Sequence, residues 1–264
     1  MQIRDKVVLV TGASQGIGAA TAIAFSRRGA RLAVTARSEE RLRSLDAPGA
    51  LVVPGDLLET SDRRRVVENT LAHYGRIDIL INNAGIGLYA PSYEAPMEQV
   101  RRMFELNFFA ALEMSQLAGA AMRERRSGAI VNVSSIAGKV TLPWLALYSA
   151  SKYAVCSLTD GLRTELRPFG IHAMAVCPGY VRTEFQAHVL AGRAPDALTG
   201  ARERFAITPA QCAEEIARGV ERNARTVLTP RVGWLLVAGA RLLPRLVDAQ
   251  LERTYRRNSG SANK

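Results

Sequence analysis

The sequence predicts an α/β fold, a doubly wound parallel sheet of about seven strands with helices on both faces. Three observations carry this expectation. Short apolar runs rich in β-branched residues recur along the chain, longer stretches of helical period separate them, and a glycine-rich turn stands at the first strand-to-helix junction.

The first strand is KVVLVT (6–11), and a helix over 16–29 follows it. RLAVTA (31–36) then leads into a helix over 39–46, capped by Ser38, with Glu39 and Glu40 suited to its first turn. Next come ALVVPG (50–55), a helix over 61–74, IDILINN (77–83), a long helix over 97–126 and GAIVNVS (128–134). A helix over 148–168, IHAMAVC (171–177), a helix over 209–223 and the weaker strand TVLT (226–229) complete the alternation. The helix at 209 has the clearest start, with a threonine cap at Thr208, Pro209 in the first turn and a reciprocal Gln211.

Residues 1–230 read as one domain, 231–255 as an apolar and basic helical extension of it, and 256–264 as a disordered tail. No signal segment or long apolar span is expected. The formal charge of +11 is carried mostly by arginine. These arginines are scattered, as in Arg27-Arg28 and Arg125-Arg126, and form neither a basic arm nor a stacking platform, so nucleic acid is not an expected partner. Cys156, Cys177 and Cys212 are widely spaced, which points to a reducing, cytoplasmic setting, and His73, His172 and His188 lack metal-ligand spacing. No metal is expected.

The glycine-rich turn is TGASQGIG (11–18), spaced G-x-x-x-G-x-G. Gly12 permits a tight turn, Gly16 lets the backbone approach a pyrophosphate, and Gly18 allows close helix–sheet packing. Ser14, Gln15 and Ile17 complete the loop, and the helix N-terminus offers N–H groups and a positive dipole end to an anion. This is a Rossmann-type arrangement for a dinucleotide. After the second strand stands Arg37 rather than an acid, which favours a 2′-phosphate and hence NADP(H), with NAD(H) left open.

The chain resembles the classical short-chain dehydrogenase/reductase family over nearly all of residues 5–230. The motifs are TGASQGIG (11–18), NNAG (82–85), Asn107 in ELNFFA, VSS (133–135), YSASK (148–152) and PGYVRT (178–183). The resemblance implies an oxidoreductase in which Tyr148 is the acid/base and Lys152 lowers its pKa and holds the nicotinamide ribose. It also implies that Ser135 orients the substrate oxygen and that Asn107 supports a water linking Lys152 to solvent. The spacing agrees with the first pair, because residues at i and i+4 share a helix face. By the same resemblance Asp56 and Leu57 border the adenine, Asn83, Ala84 and Gly85 the adenine ribose, and Pro178, Gly179, Val181 and Thr183 the nicotinamide, whose pro-S hydride is transferred.

Specificity in such enzymes sits after the PG motif, here roughly 184–207, read as a mobile lid. Leu142, Pro143, Trp144, Tyr180 and Phe185 could line an apolar substrate pocket or simply pack. The expected substrate is an apolar carbonyl or alcohol, steroid-like, retinoid-like or long-chain. A 3-oxoacyl-carrier-protein reductase and a non-catalytic nucleotide-binding regulator are the alternatives. The stretch 231–255 could lie on a membrane surface, cover the pocket or pack between subunits, and a homodimer or homotetramer is expected by resemblance.

Overall fold

A parallel sheet needs a crossover between every pair of neighbouring strands, and the alternation in the sequence supplies them. The computed structural model describes residues 1–185, 189–190 and 205–259. Its strands are β1 (Val7–Thr11), β2 (Arg31–Thr35), β3 (Leu51–Val52), β4 (Ile79–Asn82), β5 (Gly128–Val133), β6 (Ile171–Pro178) and β7 (Thr226–Thr229). They form one seven-stranded sheet in the order β3-β2-β1-β4-β5-β6-β7, and every pairing is parallel. The helices among the described residues are α1 (Gly16–Ser26), α2 (Glu39–Arg43), α3 (Thr60–Tyr74), α4 (Met97–Phe104), α5 (Ala110–Glu124), α6 (Ala146–Leu166), α7 (Pro209–Glu221), α8 (Gly233–Leu242) and α9 (Pro244–Ser259).

Alternation along the strands divides the core in two. Val8, Val10, Ile79, Ile81, Ala129 and Val131 face one side, where Phe25 of α1 and Ile216 and Val220 of α7 pack. Leu9, Leu80 and Ile130 face the other, against Val66 of α3 and Met114 and Met122 of α5. Strand order reverses between β2-β1 and β1-β4, so a crevice opens at the carboxyl ends of the strands beside Thr11 and Asn82.

Several elements differ from expectation. The third strand shortens to Leu51–Val52, because Pro54 has no N–H to give. Val53 N and Gly55 N still donate to Val34 O and Ala36 O, both at 3.0 Å, on either side of the proline. The helix expected over 97–126 contains a π-helical turn, Glu105–Phe109, between α4 and α5. The stretch 231–255, by contrast, is interrupted where Pro244 predicts, dividing into α8 and α9 at Leu243-Pro244 because proline cannot continue a helix ladder. Helix α9 also continues to Ser259, so residues 256–259 are helical rather than tail, and 260–264 fall outside the described residues.

At the amino edge of the sheet, Asp78 is buried and accepts Val7 N at 2.8 Å, while Arg76 and Arg125 approach it at 2.9 and 3.3 Å. It ties the entry of β1 to that of β4. Replacing Asp78 by Ala leaves the Val7 N–H unmatched inside, and we expect urea unfolding to register a loss of about 1–3 kcal/mol with the fold retained.

Candidate active site

The crevice begins with the turn after β1. Gly12 and Gly16 have φ of +63° and +57°, a region that glycine enters without strain. A Cβ on Gly12 would lie 2.9 Å from Ala84 Cα, and one on Gly18 would run into Gly12 O and the Asn83 amide. A Cβ on Gly16 would lie 3.2 Å from Thr183 Cγ2, so this glycine admits the loop after β6 as well. Gln15 precedes α1 without capping it through its side chain, and the first turn carries no acid. The N–H groups at the start of α1 therefore remain for an anion, flanked by half-buried Ser14 and Ile17. These features fit the pyrophosphate of a dinucleotide.

Thr11 closes the turn from below. Its Oγ1 accepts Asn83 N at 2.9 Å and Ala84 N at 3.1 Å, and donates to Ile81 O at 3.3 Å. Asn83 returns the contact, its Nδ2 donating to Thr11 O at 3.0 Å and Gly12 O at 3.1 Å. The Asn83 side chain is thus a brace for the glycine turn, and only its surroundings wall the crevice.

The second half of the site lies at the ends of β5 and α6. Ser135 caps a short 3₁₀ turn (Ile136–Gly138), its Oγ accepting Ala137 N at 3.1 Å, and it lies 3.5 Å from Pro178 O at the end of β6. Tyr148 and Lys152 fall on the same buried face of α6. The ammonium of Lys152, 4% exposed, donates to Val133 O at 3.0 Å and sits 5.8 Å from the centre of the Tyr148 ring. Ser134 Oγ donates to Lys152 O at 2.8 Å, and Gly138 lets the 3₁₀ turn lie directly against that carbonyl.

Asn107 occupies the middle of the π-turn and is buried. Its Oδ1 accepts Ile86 N at 2.8 Å, and its Nδ2 donates to Ile86 O at 3.0 Å and Ser151 Oγ at 3.1 Å. A single amide thus clamps the loop after β4 to α6. Gly85 stands between the two functional ends, since a Cβ there would lie 3.0 Å from Asn107 Oδ1 and 3.3 Å from Lys152 Nζ. Without a side chain at Gly85, no carbon intrudes beside Asn107 Oδ1 and Lys152 Nζ.

Other expected contacts are distributed differently. The Leu57 side chain is buried in the core with Leu9, Val53 and Val66, so it offers no side-chain edge to an adenine. Its carbonyl accepts Arg63 Nε at 2.6 Å. Asp56 accepts Leu58 N at 3.0 Å through Oδ1 and remains half-buried at the rim. Val181 is likewise a core residue, bridged to Ile207. Gly179 N donates to Thr229 O at 2.7 Å, and Thr183 Oγ1 accepts Phe185 N at 3.3 Å, which shapes the turn leaving β6.

On the substrate side, Phe185 stacks obliquely 5.9 Å from the Tyr148 ring. Leu88, Tyr89, Met103, Leu145 and Leu142 extend this apolar wall. Trp144 adopts φ +60° and packs its ring 4.7 Å from Tyr255 of α9. Tyr180 is half-buried, and its carbonyl accepts Ile207 N at 3.1 Å. Of the segment expected as a lid, 186–188 and 191–204 lie outside the described residues, while Leu190 N donates to Gly87 O at 2.9 Å.

Sequence reasoning missed three contributors. Arg41, one turn into α2, reaches the glycine loop, donating to Gln15 Oε1 at 2.5 Å and pairing with Glu184 at 3.3 Å. Arg37 is exposed two residues past the end of β2. Ser151, the fourth residue of YSASK, is the hydrogen-bond partner that locates Asn107. Asn132 on β5 accepts from Asn82 at 2.9 Å and donates to Thr159 at 2.9 Å, a buried polar tie between β4, β5 and α6. An asparagine within an otherwise apolar strand run is the signal that would have marked it.

The comparisons with known proteins bear on the fold and the family. A family model described as short chain dehydrogenase matches residues 6–194. A ketoacyl reductase, HetN of Nostoc sp., is 32% identical over 93% of this chain and 88% of its own. An 11-beta-hydroxysteroid dehydrogenase 1A of Arabidopsis thaliana is 32% identical over 97% of this chain and 77% of its own. The crystal structure of a short chain dehydrogenase from Burkholderia cenocepacia in complex with NADP superposes with a TM-score of 0.80 at 30% identity, covering 95% of this chain and 99% of that one.

Burial lowers the Lys152 pKa from its usual range to about 8, against a smaller upward pull from Cys156 and Cys177. The folded value lies below the unfolded one, so below pH 8 both states are protonated and the fold bears the whole cost of an interior ammonium. Between about 8 and 10.4 the unfolded chain binds more protons, and stability attributable to this residue rises with pH. Lys152→Met is therefore expected to gain about 1–3 kcal/mol over the unmodified protein at pH 7, a gap that narrows by pH 9.5 when denaturation is repeated there.

Proposed function

The chain belongs to the short-chain dehydrogenase family of oxidoreductases, and from that premise we propose that it interconverts an apolar carbonyl compound and its alcohol with NADP(H). The observation that carries the reading is the Tyr148–Lys152 pair on one face of α6, opened towards the glycine turn by Gly85. Bound in this crevice, the nicotinamide supplies or accepts the hydride.

In the reducing direction the Tyr148 hydroxyl donates its proton to the substrate oxygen, while Ser135 Oγ donates a hydrogen bond to that oxygen and fixes its position. The phenolate left on Tyr148 is stabilised by the Lys152 ammonium, whose charge lies in a low-dielectric interior where it acts strongly. A lysine with pKa about 8 exchanges its proton readily near neutral pH, which suits a relay. Asn107 commits both N–H donors and one oxygen lone pair to Ile86 and Ser151, so one lone pair on Oδ1 remains for a relay water beside Gly85. Leu142, Phe185 and Leu145 exclude bulk water and favour an apolar substrate.

Arg37 and Arg41 support NADP(H) over NAD(H), because arginines after β2 and beside the glycine loop suit a ribose 2′-phosphate. A carrier-bound 3-oxoacyl substrate is the second reading, favoured by the basic charge of +11, and it requires that turnover fall with rising salt.

A panel of apolar ketones, aldehydes and alcohols, followed by NADPH absorbance, tests the activity. We expect Tyr148→Phe to bind NADPH normally and to lose at least about a thousandfold in kcat; unchanged turnover would remove the acid/base assignment. Fluorescence titration should find NADPH bound at least about tenfold more tightly than NADH, with Arg37→Asp erasing or reversing the preference. Equal affinities in the unmodified protein would contradict the 2′-phosphate role.

A further inference from the structure

Apart from Arg241 in its last turn, helix α8 carries only apolar residues and glycine, which a helix tolerates only when each side has something apolar to meet. One side does. Gly233 and Val237 are buried, and Ala240 packs with Val237 against Leu228, Val140 and Cys177. A Cβ on Gly233 would lie 2.9 Å from Ile136 Cδ1, next to Ser135, so the inner face is seated tightly on the active-site turn.

Among the described residues the other side is left exposed. Leu235 and Leu242, seven residues apart and therefore on one stripe, are 74% and 78% exposed. Trp234, Leu243 and Leu246 extend the patch across the break into α9 at 45%, 55% and 66% exposure. Isolated exposed leucines are ordinary, but a contiguous patch of this kind marks a docking surface.

Charge says what docks. From Arg225 to Val247 the only charged residues are Arg225, Arg231, Arg241 and Arg245, with no acid until Asp248. An apolar stripe whose flanking sequence carries only guanidiniums up to Asp248 matches an anionic lipid interface, where the leucines and Trp234 enter the acyl boundary and the arginines meet phosphates. A second copy of the same face would instead set arginines against arginines around a twofold axis. Among the described residues no helix is long and apolar enough to cross a membrane, so the contact is lateral. The patch also adjoins the substrate side, since Tyr255 of α9 stacks on Trp144 and its hydroxyl lies 2.8 Å from that of Tyr93.

We propose that the outer face of α8 and the start of α9 form a peripheral docking surface for anionic lipid membranes. The full chain, incubated with vesicles of phosphatidylcholine alone or mixed with phosphatidylglycerol, is floated through a density gradient. No turnover is needed, so the outcome stands apart from that of the proposed reaction. We expect flotation with the anionic vesicles only. The exposed double variant Leu235→Glu, Leu242→Glu should lose at least about tenfold in bound fraction, and Arg241→Glu, Arg245→Glu about tenfold, with unchanged Tm in both. Failure of the unmodified protein to float, or equal flotation of the variants, overturns the proposal. So does a leucine variant that halves the sedimenting mass while the unmodified protein ignores vesicles, because the face then joins copies of this chain.

Discussion

A lysine ammonium buried beneath the carboxyl edge of the sheet is the constraint to which the rest of the site answers. Removing such a charge from water is costly unless it is hydrogen-bonded and its surroundings are held in place. Val133 O gives it one acceptor at 3.0 Å. Ser134 anchors the backbone of the same residue through its carbonyl, and Gly138 brings the 3₁₀ turn that carries Ser135 into contact with that carbonyl. The strand end, the turn and the helix are thus assembled around one residue. Tyr148, one turn earlier on α6, inherits its position from the same packing.

The π-turn answers the same constraint from the other side. A regular helix from 97 onward would carry every later residue through a different angle, and the inserted turn re-aims Asn107 towards Ile86 and Ser151. Its amide matches both backbone groups of Ile86, as a neighbouring strand would. The loop after β4 is therefore held with Gly85 beside Asn107 and Lys152. Arg63 steadies this turn from behind, its buried guanidinium reaching Glu105 at 2.6 Å and Glu113 at 2.9 Å.

Much of this was legible in the sequence because the physics was local. The strand runs, the glycine turn and the i, i+4 spacing of Tyr148 and Lys152 each depend on near neighbours. What was not legible depends on distant ones. The π-turn has no composition signal, since ELNFF reads as ordinary helix and its displacement follows from partners on the loop after β4 and on α6. Leu57 matched a cofactor position, yet its side chain faces the core, because a residue just past a strand end can turn either way. Arg41 lies one helical turn from Arg37, and only the fold brings Gln15 beside it. The apolar residues of 231–255 announced a buried or docking element, but only the fold separates the face seated on Leu228 from the face left outside.

The proposed reaction requires the buried ammonium of Lys152 to lower the ionisation of Tyr148 below that of an ordinary tyrosine. Tyrosinate absorbance titrated from pH 6 to 11 in the presence of NADP⁺ tests this without any knowledge of the substrate. Subtracting the curve of Tyr148→Phe should reveal one tyrosinate with a midpoint at least about one unit below the free value near 10, and Lys152→Met should return that midpoint to about 10 or above. A difference curve with no ionisation before pH 10, or one that Lys152→Met leaves in place, would contradict the account.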